Sequence, residues 1–251
     1  MTGGRLDVVT TVGRPGSPTL VFLHEGLGSI DLWRGFPDEV AARVGGASTV
    51  VFSRHGYGRS APAQLPRPVG YMHQEADVVL PELLDVLGVD RPVLVGHSDG
   101  ASIALLYAGS GRAVDAVVCI APHVFVEPES IAGIDAARAQ FDSSDLANRM
   151  GRHHDDPVAT FRGWNDVWAS EAFHSWNIED RLSAISAPVL LAQGTDDQYG
   201  TLAQLDAIEA GVSGRCERLV IDGAGHAPQL EQRAIVVDGI GRFVERHRPS
   251  M

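Results

Sequence analysis

Ser98 stands between Gly96 and Gly100 in the run VLVGHSDGAS, and Asp197 and His226 follow it far along the chain. A serine hydroxyl is a weak nucleophile. It needs a base to take its proton and an acid to orient that base. The pattern G-x-S-x-G, with an apolar run before it and small residues after it, suits a tight strand-to-helix turn that lifts one hydroxyl above a sheet. Downstream, PVLLAQ runs into Gly194-Thr195-Asp196-Asp197, and ERLVID runs into Gly223-Ala224-Gly225-His226. Each places polar groups at the end of an apolar run, where open α/β sheets build their sites. The chemistry on offer is nucleophilic attack on a carbonyl, with the parts in the order Ser, Asp, His.

Positioning them calls for parallel strands. Seven β-branched, apolar runs serve: 6–12, 19–24, 48–53, 92–97, 115–121, 188–193 and 217–222. Several are apolar at nearly every position, as strands covered on both faces are. Helical patterns lie between them at 36–44, 71–87, 100–108, 202–210 and 234–246. In the second, Ala76, Val79, Leu80, Leu83, Leu84 and Leu87 recur at three and four, one apolar stripe. The expected fold class is α/β, a mostly parallel central sheet flanked by helices. The rhythm fails between about 123 and 186, where the chain is helical, charged and aromatic and holds Trp164, Trp168 and Trp176. That stretch is expected to be a helical lid inserted into a single domain, with a core of 1–122 and 187–251.

Composition narrows the chemistry. The 251 residues carry 32 acidic and 20 basic side chains, a net charge of −12. Nucleic acids and anionic membranes are bound through concentrated positive charge, so neither is an expected partner. Every basic residue is arginine; without lysine, Schiff-base chemistry and a P-loop are excluded. The first sixteen residues have no apolar signal-peptide core, so a cytoplasmic location is expected. Cys119 and Cys216 read as core thiols. The run His153-His154-Asp155-Asp156 reads as a solvated turn, since neighbouring helical side chains diverge and cannot share a metal.

Taken together, "LVFLHEGLGSIDLW", "FSRHGYGRS", "GHSDG", "LLAQGTDD" and "GAGHAPQLE" resemble, in order and spacing, the motifs of the α/β-hydrolase superfamily over almost the whole chain. The resemblance implies Ser98 as nucleophile, His226 as base and Asp197 as acid, with Asp196 the alternative. It also implies an oxyanion hole built from the backbone N–H groups of Gly26 and Asp99. Two positions depart from the family pattern: Glu25 stands where glycine is usual, and Asp99 replaces an apolar or amide residue. A buried carboxylate needs a partner, and Arg54 or His55 at the neighbouring strand end could serve Asp99 or Glu25. Glu25, His123, Trp164, Trp168 and Tyr199 are candidate substrate contacts, and Phe125, Phe161 and Phe173 could join the tryptophans around an apolar pocket.

The expected activity is hydrolysis, through an acyl-enzyme, of a small ester or related carbonyl compound with an apolar or aromatic part. Hydrolytic C–C cleavage of ring-fission products is the alternative, and a non-catalytic ligand receptor on the same fold is a third reading. A small molecule is the expected partner and no cofactor or metal is called for; a homodimer stays open.

Overall fold

The computed structural model describes residues 4–247; the outermost ends of the 1–122 and 187–251 core lie outside them. Each of the seven apolar runs forms a strand: β1 (Asp7–Thr11), β2 (Thr19–Leu23), β3 (Ser48–Ser53), β4 (Val93–His97), β5 (Ala116–Ile120), β6 (Val189–Gly194) and β7 (Cys216–Ile221). They make one sheet in the order β1-β3-β2-β4-β5-β6-β7. β1 pairs antiparallel to β3, and every other pair is parallel. Parallel pairing puts the C-terminal ends of β2, β4, β5, β6 and β7 on one edge.

The longer helices are α1 (Phe36–Arg43), α2 (Tyr71–Gln74, Glu75–Val79 and Leu80–Leu87 in succession), α3 (Asp99–Gly109), α4 (Pro128–Ser143), α5 (Pro157–Trp168), α6 (Ala203–Gly211) and α7 (Arg233–Arg246). Alternate residues of the central strands feed opposite cores. Val21, Leu23, Leu94 and Val117 pack with α2, α3 and α6, whereas Leu20, Phe22, Val95 and Val118 pack with α1 and α7. The central strands are therefore apolar throughout because both faces are covered.

α2 departs from a uniform helix. Pro81 has no N–H to give the Asp77 carbonyl one turn back, and the preceding Glu75–Val79 segment is wound as a π-helix. The Asp77 carbonyl instead accepts from Arg112 Nη2 at 3.5 Å. The widened segment is continuous with a buried face that carries Tyr71 and Glu75.

Between β5 and β6 the chain leaves the sheet for α4 and α5, and the one β pairing there is an isolated bridge, Phe125 with Asn177. Asp156 caps α5 by accepting from the Ala159 N–H at 2.9 Å. Phe161, Phe173 and Trp176 are buried in the core of this segment; Phe173 stacks on Trp176 at 5.3 Å between centroids. His154 corrects the expectation of a solvated turn. It is buried, accepting from the Gly58 N–H at 3.0 Å and donating to the Leu27 carbonyl at 3.0 Å, while its neighbours Asp155 and Asp156 are exposed. Both cysteines are free thiols, Cys119 buried and Cys216 half-buried. Among the described residues no helix is long and apolar enough to cross a membrane.

Candidate active site

The turn after β4 explains its two glycines. Ser98 adopts φ 52°, a left-handed conformation that a side-chain-bearing residue holds only under strain. A Cβ on Gly96 would meet the Gly100 carbonyl oxygen at 2.3 Å, and one on Gly100 would meet the Leu23 carbonyl oxygen at 2.0 Å. The chain folds back on itself here so tightly that only hydrogen fits at either position. The Ser98 N–H donates to the Ile120 carbonyl at 2.8 Å, tying the turn to β5.

The loops after β6 and β7 are pressed together in the same way. A Cβ on Gly194 would meet the Ala224 carbonyl oxygen at 1.9 Å. That closeness brings His226 Nδ1 to 2.8 Å from Asp197 Oδ1. Asp197 also accepts from the Tyr199 N–H at 2.9 Å and from Gln193 Nε2 at 3.3 Å. Burial alone would raise its pKa, but the His226 bond and charge outweigh that and hold it below the usual aspartate value. An ionised Asp197 can only accept, so His226 Nδ1 is the donor in this contact. Asp196, the alternative acid, is exposed and bonds only to Thr195 Oγ1 and, through its backbone, to Ala224.

A cavity opens at this edge, and Ser98, Asp99, Gly26 and His226 all border it. So do Glu25, His123, Trp164, Trp168 and Tyr199; Asp197 lies behind, under His226, and Phe125, Phe161, Phe173 and Trp176, expected around the pocket, do not border it. Leu27, Ile134 and Ser130 complete the wall, and no feature of their own sequence context singled them out. Trp164 packs directly over Gly26, where its indole nitrogen fills the space of a Cβ.

His123 reaches the cavity because Ala121 turns at φ 47° and Ser102 Oγ holds the His123 carbonyl at 2.6 Å. Its Nε2 donates to the Tyr199 carbonyl at 3.1 Å. Burial, reinforced by the neighbouring His226, lowers its pKa below the ordinary histidine value, so it stays neutral.

The Asp99 carboxylate is wholly buried. Tyr71 Oη donates to its Oδ2 at 2.6 Å, and Arg54 Nη2 approaches the same oxygen at 3.4 Å. Trp168 Nε1 in turn donates to Tyr71 Oη at 3.0 Å. Of the two expected partners, Arg54 is here and His55 is not, its Nε2 lying instead 3.5 Å from the Gly4 carbonyl; Tyr71 is the one that sequence reading missed, because it sits at the start of an apolar helical stripe.

Glu25 is paired differently. Its carboxylate lies 3.4 Å from His97 Nδ1, and its backbone carbonyl accepts from Arg54 Nη2 at 2.9 Å. Burial pushes its carboxyl upward, but the adjacent His97 pulls it down to about 2. His97 Nε2 donates to the His226 carbonyl at 2.8 Å, so the residue beside the serine braces the histidine loop.

Residues 20–238 match the profile of the alpha/beta hydrolase family. The candidate carbamate hydrolase RutD of Variovorax paradoxus (strain S110) is 30% identical over 259 aligned positions, covering 92% of this chain and 94% of its own. Among solved structures, the N-acyl homoserine lactone degrading enzyme Est816 is 27% identical with a TM-score of 0.71, covering 96% of this chain and 98% of its own. The enol-lactonase of Burkholderia xenovorans LB400, 18% identical with a TM-score of 0.72 over 97% of each chain, shares the fold.

Proposed function

The chain belongs to the alpha/beta hydrolase family, and from that premise we propose that it is a serine hydrolase acting on a small ester, lactone or carbamate with an apolar portion. The observation that carries the reading is the His226–Asp197 contact of 2.8 Å beside a cavity bordered by the strained Ser98. In this reading His226 Nε2 removes the Ser98 proton as Oγ attacks the carbonyl carbon. The tetrahedral oxyanion is held by the N–H groups of Gly26 and Asp99, donors whose loss costs about 10²–10³ in rate at comparable sites. The imidazolium then protonates the leaving group, and water, deprotonated by His226, releases the acyl group from Ser98.

Residues 123–186 serve as the lid of a single domain, and its Ile134, Trp164 and Trp168 supply the apolar wall that accepts the substrate's hydrocarbon part. RutD and Est816 make carbamates and lactones natural members of the test panel. The experiment is labelling by a fluorophosphonate, followed by turnover of p-nitrophenyl esters, acyl lactones, carbamates and a vinylogous diketone. Labelling and ester, lactone or carbamate turnover, both abolished in Ser98→Ala, are expected. An unlabelled but folded protein overturns the reading, and turnover confined to the diketone makes it a C–C hydrolase.

A further inference from the structure

A second concavity adjoins the catalytic cavity and shares Glu25 and Leu27 with it. Its floor is apolar, with Leu32, Leu146 and Met150, and its wall carries Arg34, Arg149 and Arg152. In a chain with 32 carboxylates for 20 arginines, an arginine readily finds an acidic neighbour. Arg149 does, at 3.5 Å from Asp145. Among the described residues, the Arg34 and Arg152 side chains have no hydrogen bond or ion pair within the protein. Glu25 is the single acidic side chain bordering the basin, and it is turned toward His97. Asp31, a further carboxylate close by, lies 3.5 Å from His153.

Arg34 is also held at φ 50°, a conformation that costs an arginine energy, with Gly35 at φ 78° completing the bend. Its backbone carbonyl is fixed by Arg233 Nη1 at 3.0 Å. The loop is thus locked where it presents a free guanidinium to the basin. Guanidinium pairs recognise carboxylates through parallel N–H···O bonds, and an apolar floor leading to them accepts the methylenes of an acyl chain.

We infer that this basin is a carboxylate subsite: the substrate carries an anionic carboxylate on the portion remote from the scissile carbonyl, bound by Arg34 and Arg152. The inference rests on the hydrolase reading for the catalytic cavity, but its test does not need turnover. The monomethyl esters of four- to eight-carbon dicarboxylic acids, and the methyl esters of matching monocarboxylic acids, are titrated into Ser98→Ala by calorimetry. At one favoured chain length the anionic ester is expected to bind at least tenfold more tightly than its neutral counterpart. That preference should fall below about threefold in the Arg34→Ala/Arg152→Ala background, and should shrink as salt rises from about 50 to 500 mM. Both arginines are exposed, so the double variant is expected to keep the wild-type thermal midpoint. Equal binding of anionic and neutral esters at every length, or a preference untouched by the double substitution, overturns the subsite. Loss of fluorophosphonate labelling at Ser98 overturns the hydrolase reading instead, so the two failures are distinguishable.

Discussion

One nitrogen of Arg54 donates to the Glu25 carbonyl at 2.9 Å and reaches Asp99 Oδ2 at 3.4 Å, so a single buried guanidinium joins the loop after β2 to the turn after β4. Those two segments carry Gly26 and Asp99, the proposed oxyanion donors. Removing Arg54 leaves Asp99 buried with one hydroxyl partner. Breaking a buried pair this way costs about 3–5 kcal/mol. Arg54→Ala is therefore expected to lose that much in urea unfolding. A variant as stable as wild type would show that the pair holds nothing in place.

Tyr71 gives a gentler probe of the same turn. Tyr71→Phe removes the 2.6 Å bond to Asp99 and the acceptor for Trp168 Nε1 while keeping the ring. A loss of about 1–3 kcal/mol follows from an unsatisfied buried acceptor. If the bond also fixes the Asp99 amide, kcat should fall with KM little changed. A raised KM at constant kcat would place its effect on the wall near Trp168 instead.

Glu25 ties stability to pH. Its folded pKa of about 2 lies below the ordinary 4.5. A depressed carboxylate contributes stability that is fully present above the unfolded value and is lost as pH falls through the folded one. The difference in urea midpoint between wild type and Glu25→Gln should be constant above about pH 5.5 and should shrink steadily toward pH 3. A difference that grows on acidification would reverse the sign and reject the pairing with His97.

The elbow glycines separate steric need from local flexibility. Gly100→Ala drives a methyl into the Leu23 carbonyl at 2.0 Å, whereas a methyl on Gly70 meets nothing within 4 Å. Overpacking of a rigid backbone contact costs about 1–3 kcal/mol or more, so Gly100→Ala should lower the thermal midpoint while Gly70→Ala leaves it within a degree or two. Comparable midpoints for the two would mean that the turn can open.

The strand set was legible because its signal is local. TLVFL, VLVGH and AVVCI are apolar at almost every position, and only a strand covered on both faces uses such runs. The same holds for Gly96-x-Ser98-x-Gly100, where small residues flank one polar group for a reason that residues one turn apart impose. The segment between β5 and β6 was legible only as a break in that rhythm. Its helices carry no mark saying that Trp164 and Trp168 face a cavity while Phe161, Phe173 and Trp176 fill a core, since all five are large aromatic side chains.

By itself, then, the amino-acid order determined the α/β architecture, the elbow and the Ser-Asp-His sequence, because periodicity and turn chemistry act between neighbours. Tertiary structure decided which aspartate meets His226, for adjacent Asp196 and Asp197 differ only in which one the packed β6 and β7 loops turn inward. It also decided that Asp99 is shared by Tyr71 and Arg54, and that Arg34 and Arg152, more than a hundred residues apart, converge on one basin. Such contacts depend on where separate elements cross, and residue spacing along the chain does not encode that.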